Sequence, residues 1–252
     1  MLQALLKNKL KESFSLAEDR QTSSVFGLLQ YLPVQTMWNL LRQSCGDKSL
    51  LVEESGKLLH IHFWPRWSAE GDDISNSNYV EPDVFCEFER FDLIIEAKKD
   101  DQSGQYDKQW KNEINAYLNE YQDSKKELYF IAIGGNKTLR TERIRARNGE
   151  YIIFLASWQN LLNEIEKSKK KFSDSEPIKR ILSDIILAFE KHNFFCLEWL
   201  ESLSEKSITQ ENSTLIASWK FHAVNIFDNF HESSYHNVNN NSKNNIELWN
   251  PN

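Results

Sequence analysis

Apolar positions open the chain in helical spacing. Leu2, Leu5, Leu6 and Leu10, then Val25, Leu28, Leu29 and Leu32, recur every three or four residues, and the pattern restarts after Pro33 through Met37, Trp38, Leu40 and Leu41. Two or three helices are predicted between Leu2 and about Ser44. Further on the period changes. Residues 58–67, LLHIHFWPRW, read as a strand ended by Pro65, and Ala69 to Tyr79 has the Asp, Ser and Asn content of a loop. Val84 to Glu89 and Phe91 to Lys98 read as neighbouring strands joined by a tight turn at Arg90. Asp100 to Gly104 then forms a loop opening a helix, on which Trp110, Ile114, Tyr117, Leu118 and Tyr121 make one core-facing stripe.

Glu127 to Ile133 and Tyr151 to Ala156 are apolar runs of the kind found in sheets covered on both faces. Trp158 to Ile165 returns to helical spacing, Glu166 to Ser175 is a Lys- and Ser-rich break, and Ile178 to Leu203 carries a further amphipathic pattern. The order of elements predicts an α/β fold: a mixed sheet of four or five strands flanked by helices, with a helical C-terminal extension. The expected organisation is a core over residues 1–165, a helical cap over 176–232 and a flexible Asn-rich tail over 233–252.

Composition narrows the class. With 252 residues, 40% hydrophobic and 27% charged, the chain suits one main globular domain. Lys7, Asn8, Lys9 and Lys11 interrupt the N-terminal leucines, and no run of 18 apolar residues occurs, so neither a secretory signal nor a membrane span is expected. Cys45, Cys86 and Cys196 lie far apart, which suits a reducing compartment and supports no disulfide framework or Cys-x-x-Cys zinc site. A cytoplasmic location is the expectation. The net charge of −7 excludes a uniformly basic nucleic-acid coat but leaves room for a local basic channel.

The strand Phe91 to Lys98 is unusual. Period-two alternation puts Phe91, Leu93, Ile95 and Ala97 on one face and Asp92, Ile94, Glu96 and Lys98 on the other. Both faces are apolar in the middle, so the strand belongs inside the sheet, where an ionised Glu96 and Lys98 are costly unless each has a partner or a metal ion. Asp83, at the start of the preceding strand, and Glu96 can converge on one cation. Lys98, two residues on, points the same way. Phosphodiester hydrolysis asks for oxygen ligands to a hard cation and a positive charge beside the developing phosphorane.

Pro82-Asp83 followed by Glu96-Ala97-Lys98 across a strand-turn-strand interval resembles the PD-(D/E)XK restriction-endonuclease-like superfamily, over roughly residues 10–165. The resemblance implies a restriction-endonuclease-like core and a Mg²⁺ or Mn²⁺ site held by Asp83, Glu96 and the Ala97 carbonyl. Lys98 would position or activate water. It also implies a ligand from the first core helix, for which Glu18 is the best match, ahead of Asp19 and Glu12, and a supporting role for Gln105 and Gln109 on the helix after the lysine. The strings FWPRW, EPDVF, IIEAKKD and QWKNEI are similar to nuclease-like proteins of bacterial phage-defence loci. The implied function is a Mg²⁺-dependent deoxyribonuclease, endonucleolytic in preference to exonucleolytic, with DNA (or RNA) as partner and a partner ATPase, another defence-locus subunit or a second copy of the chain as further candidates. The alternative is a non-catalytic nucleic-acid-binding or assembly subunit on the same fold.

Other signals compete for a role. Lys137, Arg140, Arg143, Arg145 and Arg147 crowd residues 136–149 against Glu142 alone, which reads either as a phosphate-backbone contact or as a protected strand edge. Lys167 to Lys171 reads as a solvated linker. Gly134-Gly135-Asn136-Lys137-Thr138 lacks the glycine spacing of a phosphate loop. His60 and His62 share a strand face without a third ligand in view, and packing or hydrogen bonding is their expected role, as core or rim packing is for Trp64 and Trp67.

Overall fold

The computed structural model describes residues 16–69, 79–101, 104–136, 138–172 and 174–196, with side chains from Asp19 onward. The expected helix around Leu2 to Leu10, most of the cap over 176–232 and the tail over 233–252 lie outside the described residues. Helices α1 (Leu16–Leu29) and α2 (Val34–Ser44) meet at Pro33, which lacks the amide a continuing helix would need. Then come β1 (Leu58–Phe63), the short β2 (Trp67–Ser68) and β3 (Tyr79–Val80), β4 (Val84–Phe88), β5 (Phe91–Ala97) and α3 (Asp107–Glu120). The chain continues through β6 (Glu127–Ile133), β7 (Thr141–Ala146), β8 (Gly149–Ala156), α4 (Trp158–Lys171) and α5 (Glu176–Lys191).

The main sheet has six strands in the order β1-β4-β5-β6-β8-β7. Strands β5, β6 and β8 run parallel, while β1, β4 and β7 are antiparallel to their neighbours. The fold is therefore α/β with a mixed sheet, as expected, but six strands replace the four or five counted from the sequence. The added strand is β7, where Ile144 and Ala146 turn inward and Arg143 and Arg145 outward. Its arginines hid a period-two pattern in what read as a basic segment. A second correction concerns Lys167 to Lys171, which are the last turns of α4 and no linker. Lysine is a good helix former, and Lys169, Lys170 and Lys171 lie where cations complement the helix dipole.

Alternation along β5 separates two apolar layers. Phe91, Leu93, Ile95 and Ala97 face a core built with α1, α2, α4 and α5, where Trp38, Trp158 and Phe189 are fully buried. Ile94 faces the other layer, with Phe85, Phe130, and Trp110 and Ile114 of α3. Asp92, on that second face, is buried but satisfied: the Tyr117 hydroxyl donates to it at 2.8 Å and Lys126 Nζ lies 3.1 Å away. Both faces of β5 are thus covered along its whole length. Glu96 sits near the carboxyl end of this central strand, the end at which open α/β sheets bind ligands.

Candidate active site

Strand pairing builds the site first. The β4–β5 register matches Val84 to Ile95, so the next step brings Asp83 opposite Glu96 on the α3 face. Trp64 grips Asp83 twice: its backbone amide donates to the Asp83 carbonyl at 3.0 Å, and its indole Nε1 donates to Oδ1 at 3.0 Å. The Ala97 amide donates to Oδ2 at 2.9 Å. Trp64 holds this position with φ 50°, a conformation uncommon for a bulky residue and one that neighbouring contacts must sustain. The carboxylate is consequently fixed in place.

Glu96 is 2% exposed. Lys98 Nζ donates to its Oε1, and Gln109 Nε2 donates to the same oxygen at 2.6 Å. Burial raises the Glu96 pKa well above the usual carboxylate range and the Glu113 charge adds to this, while the ammonium of Lys98 pulls the other way. Glu113, one turn beyond Gln109 on α3, is 1% exposed. Burial, reinforced by the Asp83 charge, pushes its pKa up to about 8. Its carboxyl is within hydrogen-bonding reach of Glu96 and of the Gln109 amide, while its Oε2 is buried without a donor of its own. Three acidic side chains therefore meet beside one lysine at the end of β5.

The segment after β5 is pinned from several sides. Trp158 Nε1 donates to the Lys98 carbonyl at 2.6 Å, and the Lys98 amide donates to Ile133 O at 2.9 Å. Asp101 accepts from the amides of Trp158 and Gln159 at 2.9 and 3.1 Å, tying the loop to the start of α4. Gln21 of α1, with its amide oriented to donate, reaches the Lys99 carbonyl at 2.7 Å. Gly134 has φ +72°, and a Cβ there would meet the Lys98 carbonyl and come within 2.6 Å of Trp158 Nε1. Only glycine fits that approach.

Among the residues expected from the sequence, Asp83, Glu96, Lys98 and Gln109 come together. Gln105 stands apart in role. It precedes α3, whose N-cap is Tyr106, instead of lying on the helix, and its amide points to main-chain carbonyls, with Glu96 O at 3.3 Å and Gly134 O at 3.3 Å. Trp110 Nε1 donates to its Oε1 at 2.7 Å. Gln105 thus braces the ends of β5 and β6. Glu18 falls within α1, one turn before Gln21, but its side chain lies outside the described residues, as do all of Glu12 and Lys137. Asp19 is half-buried on α1.

The remaining signals resolve differently. Arg140 to Arg147 run along the sheet edge, three strand positions from β5, or roughly 14 Å. Arg140 is bonded to Glu142 at 2.8 Å, Arg143 to Glu150 at 2.9 Å and Arg147 to Asn119 at 2.7 Å, while Arg145 is exposed. His62 hydrogen-bonds Glu87 across the strands at 2.9 Å, and its ring lies near that of His60. Trp64 and Trp67 are buried. The three cysteines are free thiols. Among the described residues no three His, Cys, Asp or Glu side chains are already arranged as a metal cage, and no helix is long and apolar enough to cross a membrane.

Glu113 is the functional candidate that sequence reasoning missed. The available signal was its spacing: with Gln109 it forms an i, i+4 polar pair beside Trp110 and Ile114 on the core-facing stripe. Beside this pair a cleft of ≈ 460 Å³ opens, walled by Gln109, Glu113, Asn112 and Val80 and edged by Glu81, Tyr106 and Lys108.

The chain is 31% identical to the uncharacterized protein PM0110 of Pasteurella multocida (strain Pm70), over 76% of each chain. The two belong to one family. No family model and no solved structure matches the sequence.

Proposed function

We propose that the chain is a Mg²⁺- or Mn²⁺-dependent phosphodiesterase that hydrolyses DNA, and that Asp83, Glu96 and Lys98 do the work the PD-(D/E)XK resemblance assigns to them. The observation that carries the reading is the burial of three carboxyls, Asp83, Glu96 and Glu113, beside Lys98. A protein that needed this corner only for stability would gain nothing from three buried acids set against one ammonium.

The donor set fits a hard divalent cation. All donors are oxygens, most of them carboxylate, the ligand type that Mg²⁺ and Mn²⁺ prefer. Asp83 and Glu96 would hold the cation, with Glu113 as the added third carboxylate and the Ala97 carbonyl as a further donor. Bound there, the cation would polarise the phosphate and lower the pKa of an attacking water. Lys98, here paired with Glu96, would offer its ammonium to the phosphoryl oxygens or the water. Gln109 keeps Glu96 oriented by its 2.6 Å hydrogen bond. Trp64 and the Ala97 amide hold Asp83, so little reorganisation is asked of it.

The test is incubation of the purified chain with supercoiled plasmid, linear duplex and single-stranded DNA in Mg²⁺ or Mn²⁺, beside Glu96→Ala. Metal-dependent cleavage lost in the variant supports the proposal. Absence of cleavage on every substrate with either metal overturns it in favour of the non-catalytic binding subunit.

A further inference from the structure

The cleft of ≈ 460 Å³ beside α3 is distinct from the carboxylate corner but shares a wall with it: Gln109, which bonds Glu96, and Glu113 face both. Its volume lies in the lower part of the roughly 300–1,000 Å³ range of small-ligand pockets, room for one nucleoside and far too little for a duplex. Val80 supplies an apolar floor, and Asn112, 7% exposed, puts a side-chain amide on the wall.

Tyr106 and Lys108 stand on the edge of the cleft. Tyr106 is 66% exposed, so its ring is open to a ligand. Lys108 adds a cation on the same edge. An exposed ring beside a cation is a surface on which unpaired bases stack, because every base presents a π-face and every linkage a phosphate. By contrast, the arginines of β7 are mostly paired with acids or amides and stand three strands away.

We infer that this cleft is a nucleotide subsite, with Tyr106 as the stacking platform, and that the DNA entering the site is single-stranded at the position cleaved. This rests on the proposed hydrolytic reading for its substrate, but the subsite can be tested without cleavage. Glu113 and Gln109 join this cleft to the carboxylate corner, so a nucleotide seated there lies beside the proposed site. A paired base could not enter without leaving its stack.

The experiment uses the full chain in Ca²⁺, which allows binding without rapid hydrolysis, and fluorescence anisotropy of a labelled single-stranded oligodeoxynucleotide of about 15 residues and of the matching duplex. Tyr106→Ala should weaken single-strand binding on the order of tenfold, Tyr106→Phe should stay near wild type, and duplex binding should be weaker and unmoved by either variant. Duplex bound as tightly as the single strand, no binding of the single strand, or no effect of Tyr106→Ala overturns the inference. Tyr106 is exposed and caps α3 through its backbone alone, so loss of folding is not expected in these variants. If the binding pattern holds but no metal-dependent cleavage occurs, the subsite stands and the hydrolytic reading falls. If cleavage occurs and Tyr106→Ala binds and cleaves single strands normally, the reverse is true.

Discussion

Replacing Glu113 by Gln should stabilise the protein in EDTA, and more so as pH rises. Glu113 is buried and its pKa is raised from the ordinary 4.5 to about 8. Folding therefore takes up a proton across that window. A carboxyl with a raised folded-state pKa costs nothing below its unfolded value, and its penalty grows as pH climbs toward the folded value. At pH 7 the interval is about 2.5 units, which corresponds to about 3 kcal/mol. Near pH 5 the penalty is below about 1 kcal/mol. Glutamine keeps the shape and a hydrogen-bonding group for Glu96 but has no proton to gain. Urea denaturation of wild type and Glu113→Gln at several pH values reads the difference directly, and the variant's advantage should grow by roughly 2 kcal/mol between pH 5 and pH 7. A difference that stays constant with pH, or a variant less stable at pH 7, would refute the claim that Glu113 is buried as a strained acid.

Three further outcomes follow from the same contacts. Trp64→Phe removes the indole donor to Asp83 Oδ1 and should cost about 2 kcal/mol in urea denaturation, with any metal-dependent activity falling as well. Gly134→Ala forces a side chain into the Lys98 carbonyl and Trp158 Nε1 at positive φ, and should lower stability by about 3 kcal/mol, read as a drop in the thermal midpoint. Excess Mn²⁺ should raise the thermal midpoint of wild type by mass action, equivalent to about 2 to 3 kcal/mol at a hundredfold excess over Kd, and should leave Asp83→Asn unmoved.

Legibility in the sequence followed burial. Strands β4 and β5 could be read because Phe91 to Ala97 is apolar on both faces, and the same double coverage made Glu96 stand out as a carboxylate that needed a partner. Helix α3 was equally plain, since Trp110, Ile114 and Tyr117 repeat at helical spacing. Glu113 was not, because on a helix of mixed polarity one more glutamate between Trp110 and Ile114 looks like a solvated position. Only the approach of β5 and Asp83, set by long-range pairing, shows it to be buried. The same holds for Gln105, where spacing alone could not tell the last loop residues from the first helical turn. Strand β7 was masked by its arginines, whose outward alternation is visible only once β8 supplies the partner strand. The Gly134-Gly135 pair lacks phosphate-loop spacing, and its conformation serves a close passage against Lys98 and Asp100.

The most direct measurement is the single-turnover rate of DNA hydrolysis in Mg²⁺ and Mn²⁺ for wild type, Glu96→Gln and Lys98→Ala. The account predicts metal-dependent cleavage by wild type and a loss on the order of a hundredfold or more in each variant, with folding retained. Cleavage at equal rates in all three proteins, or no metal-dependent cleavage by wild type, would contradict it.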